Sequence, residues 1–297
     1  MKLDRVVIGE DFSDPALAAT RWAARHFAPD AELILVHAIE PARPPSYVEG
    51  EFPPSAELVE GARADAERRL RGLAEELGPE RVRCEVRDGR PEGVIVDVAV
   101  ETRADLIVVG EYGHHGRRAD VLGTTADWLT RAAPVPVLLS RRLGPSRPGR
   151  ILMAIEESAL LGEALDWGRF CARRFDAEIF ALYVLDVDLL DRLRRVAADH
   201  RPADVEKEVS EAGAAWLRRM LASAGFAEGD VHVDVVVGDP VHEILAAIPR
   251  FDADLVVVAG KGEAGSGEAI IGSVARSVLR AAPCPVLVVN RSRAAPA

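Results

Sequence analysis

Short runs of consecutive apolar residues alternate along the chain with longer stretches where apolar positions recur every three or four residues. In the first half the runs are Val6–Gly9, Leu33–Val36, Val82–Val86, Leu106–Gly110 and Val135–Leu139. Leu-Ile-Val-Val runs without polar alternation predict strands covered on both faces, as in a parallel sheet between helices. Between the second and third runs, Val59, Ala62, Ala66, Leu70, Leu73 and Leu77 share one helical stripe. Val205, Val209, Ala212, Trp216 and Met220 form the equivalent stripe in the second half. Trp22, Trp128, Trp167 and Trp216 all fall in helical stretches, where packing of helix on sheet accounts for them. Strands alternating with helices predict an α/β, Rossmann-like doubly wound architecture.

The pattern occurs twice. Ala104-Asp-Leu-Ile-Val-Val-Gly110 recurs as Ala253-Asp-Leu-Val-Val-Val-Ala259, and Ala132-Ala-Pro-Val-Pro-Val-Leu138 as Ala281-Ala-Pro-Cys-Pro-Val-Leu287. Gly89-Arg-Pro91 recurs as Gly238-Asp-Pro240; all three pairs are 149 residues apart. Near the start, Arg5-Val-Val-Ile and Arg150-Ile-Leu-Met are 145 apart, so the second copy carries about four extra residues in between. Arg141–Gly149, rich in Pro, Gly and Arg, reads as a linker. The expected domains are residues 1–142 and 149–297, each with five strands. The last strands, Val135–Ser140 and Val286–Asn290, are edge strands, expected to pair and unite the copies as an intramolecular pseudo-dimer. A further homodimer is left open.

Composition narrows the functions. With 37 basic and 48 acidic side chains the net charge is -11, which argues against a nucleic-acid partner. No apolar run approaches the ~18 residues a membrane span needs, and Met1–Arg5 opens no signal-like core. Cys84, Cys171 and Cys284 are too scattered for a disulfide framework, which fits a reducing cytoplasm.

The candidate chemistry lies in Gly110-Glu-Tyr-Gly113, the residues after it, and Gly123-Thr124-Thr125. This loop leaves a buried strand and enters a helix. Its glycines are expected to permit a sharp turn, positive φ and close approach of a ligand. A helix N-terminus carries unpaired N–H groups and favours phosphate. Arg117 and Arg118 are expected to add charge-assisted phosphate contacts. The competing reading is a plain turn with Thr124 as N-cap. No GxxxxGK[ST] motif occurs, nor a GxGxxG after the first strand. Adjacent His114 and His115 have no carboxylate or thiolate at ligand spacing, so no metal site is assigned. Ser13 and Ser158 read as caps of the first helix in each copy, and His37 and His242 have no suggestive partners. Pro41–Ser55 reads as a loop near the mouth of the site, and its counterpart Asp186–Ala203 as charged and helix-compatible.

These residues resemble the universal stress protein family. Its ATP-binding branch carries Gly-x2-Gly-x9-Gly-(Ser/Thr), which Gly110, Gly113, Gly123 and Thr124 match. Asp11-Phe12-Ser13 after the first strand, His37-Ala38 in the second, Asp105–Val108 and the Pro-x-Pro lead into the last strand are similar to family elements. The resemblance covers nearly the whole chain, twice. It implies a parallel sheet of order 3-2-1-4-5 in each copy, with helices on both faces, and an adenine-nucleotide ligand. By position, Asp11 and Ala38 would flank adenine and ribose, and Gly110, Gly113, Gly123, Thr124 and Thr125 would hold ribose and phosphates. Family sites often carry a hydroxyl one residue further on, where this chain has Ala126.

The second copy departs from that pattern. Its corresponding residues are Glu156, Val184, Ala259, Gly262, Gly272 and Ser273, with Glu263 and Glu268 in the loop opposing phosphate and Lys261 partly offsetting them. A weaker site is expected there. The functional expectation is a stress-response regulator binding ATP, with Mg²⁺ as an optional companion. Two alternatives stand beside it: a slow ATPase or autokinase using Thr124 or Thr125, and a scaffold that has lost nucleotide binding. Against the former, Asp120 is the only loop carboxylate placed for a metal. The sequence names no protein partner.

Overall fold

The computed structural model describes residues 1–40, 56–113, 122–141, 147–196, 201–260 and 271–290. The chain divides into two compact units, one from Lys2 to Ser140 and one from Arg141 to Arg291.

The first unit runs β1 (Arg5–Gly9), α1 (Asp14–Trp22), β2 (Glu32–Ile39), α2 (Ala56–Leu77), β3 (Val82–Asp88), α3 (Pro91–Thr102), β4 (Leu106–Gly110), α4 (Thr124–Ala132) and β5 (Val137–Ser140). β1 pairs with β2 on one side and β4 on the other; β3 lies outside β2 and β5 outside β4, all parallel. Val6, Val7, Ile8, Leu33, Ile34, Leu35, Leu106, Ile107 and Val108 are wholly buried. Consecutive residues point to opposite faces of a strand, so helices must cover both faces. Right-handed crossovers achieve this. They carry α1 and α2 over one face, where Arg21 holds Glu76 through two bonds of 2.7 and 2.9 Å. They carry α3 over the other, where Ile95 packs on Gly9.

Much of the repeated sequence is structural. Asp105 accepts the backbone N–H groups of Asp4 (2.7 Å) and Arg5 (2.9 Å), so it anchors the start of β1 to the start of β4. Asp254 does the same for Gly149 (2.8 Å) and Arg150 (3.0 Å). Pro136 and Pro285 lack donors, yet their carbonyls accept Ile107 N–H and Val256 N–H at 3.0 Å. Pro91 and Pro240 open helices, where a missing N–H is harmless.

The second unit runs β6 (Arg150–Ile155), α5 (Leu161–Phe175), β7 (Glu178–Asp186), α6 (Val187–Val196), α7 (Pro202–Ser223), β8 (Val231–Gly238), α8 (Pro240–Arg250), β9 (Leu255–Ala259), α9 (Ser273–Ala281) and β10 (Val286–Val289). Parallel pairing gives the order β8-β7-β6-β9-β10. Registers Arg5↔Glu32 and Arg150↔Glu178 put one extra residue before β7. Registers Leu33↔Val82 and Ile179↔Val231 put three more between β7 and β8, the segment that contains α6.

Two local expectations need correction. Ser13 caps α1, its Oγ accepting Ala16 N–H at 3.3 Å. Ser158 does not cap α5, whose cap is Leu160; its Oγ accepts Leu160 N–H at 3.3 Å in the turn before the helix. α5 starts two residues later in the repeat than α1. The fifth strand also starts later than expected, at Val137, just past Pro136.

Candidate functional site

β1 and β4 are neighbours whose chains continue away from each other, to β2 and to β5. Past their carboxyl ends lies the topological switch point where doubly wound sheets take ligands. Two segments meet there. The Asp11–Ser13 turn links β1 to α1, and the residues after Gly110 link β4 to α4.

Their approach explains the glycines. A Cβ on Gly110 would lie 3.0 Å from Ala16 N and 3.2 Å from Pro15 C, so the end of β4 abuts the first turn of α1. A Cβ on Gly113 would collide with Asp11 Oδ2. A Cβ on Gly123 would lie 3.3 Å from both Glu111 O and Tyr112 Cα. The expectation of positive φ is not met here. Gly123 has φ -59° and ψ 147°, and the described glycines with positive φ are Gly78, Gly89, Gly225 and Gly229. Close backbone approach favours glycine at 110 and 123, whereas at Gly113 the near atom is the end of the Asp11 side chain.

Gly123 N–H donates to Glu111 O at 2.8 Å, closing a neck between the two ends of the loop. α4 begins immediately after. Its N-cap is Gly123, which has no side chain to bond the first turn, so Thr124 is not the cap. Thr124 is exposed, Thr125 half-buried and Ala126 buried. Asp11 is half-buried; its Oδ1 accepts Ser13 N–H at 3.0 Å while Oδ2 faces Gly113. Ala38 is half-buried in the last part of β2, in register with Arg87. Arg117, Arg118, His114, His115, Asp120 and the segment 41–55 lie outside the described residues.

A residue the sequence reading passed over stands directly behind Asp11. Glu10 is only 3% exposed. Phe12 N–H donates to its Oε1 and the Thr20 hydroxyl to its Oε2, both at 2.7 Å. Burial pushes this carboxyl up to about 7; the bonds from Thr20 and Phe12 oppose the shift, Asp11 adds to it and Arg21 opposes it. His37 also has partners: its Nδ1 lies 2.8 Å from Glu10 O and its ring packs on Phe12. The only sequence signal for Glu10 was its place between a buried strand and Asp11.

The second unit repeats the neck, with Gly272 N–H donating to Gly260 O at 2.9 Å. Gly272 caps α9 with φ -57° and ψ 147°, again without a side-chain bond, and Ser273 is exposed like Thr124. Other features differ. Ala259 places a buried methyl where Gly110 has none. Glu156 is half-buried, and its Oε1 is shielded from solvent without a hydrogen-bond partner. Burial raises its pKa, and a bond with Ser158 opposes the shift. Val184 is half-buried in β7, paired with Val236. Gly262, Lys261, Glu263 and Glu268 lie outside the described residues.

A cavity of about 620 Å³ lies at the opposite, amino-terminal ends of the strands, lined by residues that include Arg5, Glu32 and Arg103. Arg5 is already paired with Glu32 at 3.3 Å. Among the described residues, no group of three or more His, Cys, Asp or Glu is arranged to hold a metal, and no helix is long and apolar enough to cross a membrane.

The architecture and the glycine-built crevice define a duplicated doubly wound α/β protein. The chain belongs to the universal stress protein family, whose model matches residues 2–141 and again 148–290. Universal stress protein MJ0531 of Methanocaldococcus jannaschii is 29% identical over 152 residues, covering 51% of this chain and 88% of its own. Universal stress protein Rv2623 of Mycobacterium tuberculosis is 26% identical over 307 residues, covering 97% and 96%. A crystal structure of a universal stress protein from Archaeoglobus fulgidus covers 98% of this chain and all of its own, with a TM-score of 0.70 at 19% identity.

Proposed function

We propose that the chain is a stress-response regulatory protein that binds ATP or another adenine nucleotide chiefly in its first unit. The observation carrying this reading is the opening of α4. The neck at Gly123 delivers the chain into a helix whose N-cap has no side chain to bond the first turn, beside glycines at which an added Cβ would crowd its neighbours. N–H groups so arranged suit phosphate. Thr124 and Thr125 add hydroxyls, Asp11 and Ala38 border the adenosine end, and Gly110 and Gly113 leave room for it. Arg117 and Arg118 would supply further phosphate contacts, with Mg²⁺ as an optional companion of the phosphates. The second unit would bind more weakly. It keeps Gly272 and Ser273, but it carries a methyl at Ala259 and an unsatisfied carboxylate oxygen at Glu156, which disfavours a phosphate-bearing ligand.

The test is native purification, denaturation and identification of any released nucleotide. About one adenine nucleotide per chain supports a single competent unit, and two per chain would make the units equivalent. None, with no ATP binding on titration, overturns the reading in favour of a scaffold.

A further inference from the structure

Glu10 is the group at this site for which the nucleotide reading has no use. Its two carboxylate oxygens accept Phe12 N–H and the Thr20 hydroxyl, and its own N–H donates to Val36 O at 2.8 Å. Phe12 has φ +63°, in the left-handed region that bulky side chains rarely adopt. The residue between them is Asp11, so the bond from Phe12 to Glu10 closes a loop around the side chain that faces Gly113. Phe12 is further held by the His37 ring at 4.8 Å and the Arg69 guanidinium at 4.0 Å.

The second unit supplies a contrast within the same chain. Ile155 and Glu157 occupy the places of Glu10 and Phe12. Among the described residues there, the non-glycine residues with positive φ are Asp176 and Asp252, neither in the corresponding turn. The buried carboxylate and the left-handed residue are present together in the unit with the complete glycine motif, and both are missing from the other.

We propose that Glu10 is a positioning residue whose carboxylate fixes the Asp11 turn, and that proton uptake by Glu10 loosens that turn and weakens adenine-nucleoside binding in the first unit. The proposal rests on the reading of Asp11 as a ligand contact. A proton from solvent is accommodated at Oε2, because the Thr20 hydroxyl can turn from donor to acceptor. Phe12 N–H can only donate, so it stays on Oε1, which is then part of a neutral carboxyl. A charge-assisted bond becomes an ordinary one, roughly half as strong. The groups around Glu10 are Asp11 on its own turn, Thr20 and Arg21 on α1, and His37 on β2, with Arg69 of α2 over Phe12. Arg21 is itself engaged by Glu76.

Adenosine is the probe, because it has no phosphate to titrate near neutral pH. Its affinity for the full chain is measured by calorimetry from pH 6 to 8.5, in the wild type and in Glu10→Gln, whose fold is checked by circular dichroism. In parallel, NMR follows the Phe12 amide. The wild type should bind about threefold more weakly at pH 6 than at pH 8.5. Glu10→Gln should show no such slope, and its Phe12 amide should not titrate. A slope of equal size in both proteins assigns the effect to a group other than Glu10 and overturns the proposal, as does a flat wild type. If neither adenosine nor ATP binds at any pH, the nucleotide reading fails, and the amide decides alone. A Phe12 titration lost in Glu10→Gln sustains the proton-sensitive turn, and an identical titration in both proteins overturns it.

Discussion

Replacing Glu10 by glutamine should stabilise the first unit at alkaline pH and have little effect in acid. The carboxyl is 3% exposed, and its pKa rises from 4.5 to about 7 in the folded chain. The folded state therefore holds this proton more tightly than the unfolded state. Stability is highest below the unfolded value, falls as pH rises through the interval, and reaches its floor above about 7. A shift from 4.5 to about 7, at 1.36 kcal/mol per unit, corresponds to about 3 kcal/mol of lost stability at pH 8. Glutamine keeps both hydrogen bonds without the charge, its oxygen accepting Phe12 N–H and its amide donating to Thr20. The variant thus mimics the protonated form. Urea unfolding from pH 4.5 to 8.5, followed by the fluorescence of Trp22 and Trp128 with the other two tryptophans replaced by phenylalanine, reads the first unit. The variant should gain up to about 3 kcal/mol at pH 8, and the two proteins should converge near pH 4.5. A variant no more stable at pH 8, or a gain independent of pH, would refute the reasoning.

Gly123→Val should weaken ATP binding by about ten- to a hundredfold, because the new Cβ meets backbone at Glu111 and Tyr112, whereas Gly272→Val should matter far less. Equal losses in calorimetry would mean two working sites, and a larger loss at Gly272 would reverse the assignment. Asp105→Ala and Asp254→Ala each remove two backbone hydrogen bonds and should each lose about 1–3 kcal/mol in denaturant unfolding; an unchanged midpoint would contradict the anchoring role. Thiol labelling of the native chain should modify half-buried Cys84 slowly and leave Cys171 and Cys284 until unfolding, since burial raises all three and pushes Cys284 up to about 12. Rapid labelling of all three would contradict that burial.

The strands were legible because Leu106–Val109 and Leu255–Val258 are unbroken apolar runs, a pattern only a sheet covered on both faces needs. The duplication was legible because its repeated residues do structural work, as Asp105 and Asp254 show. Local geometry was harder to read. Ser158 matches Ser13 by position, but the later start of α5 leaves it in a turn. Gly110 and Gly123 lie where backbone comes close rather than where φ is positive, and conformational freedom and close approach look alike in a sequence. Glu10 was missed because a carboxylate beside a turn reads as a surface residue, and only the fold brings Thr20, a turn and more along α1, back over it.

The neck hydrogen bonds, Gly123 to Glu111 and Gly272 to Gly260, separate the passage from sheet to helix from whatever the loop beyond it carries. Each neck is a bond between two backbone groups, so it ties the strand's end to the helix's start without depending on the side chain of either residue. The two units therefore share this junction, although the strand leading into it ends in glycine at position 110 in one and in alanine at position 259 in the other. One backbone junction thus serves two units that differ in the residues on either side of it and in the helix α6 that only the second carries among the described residues.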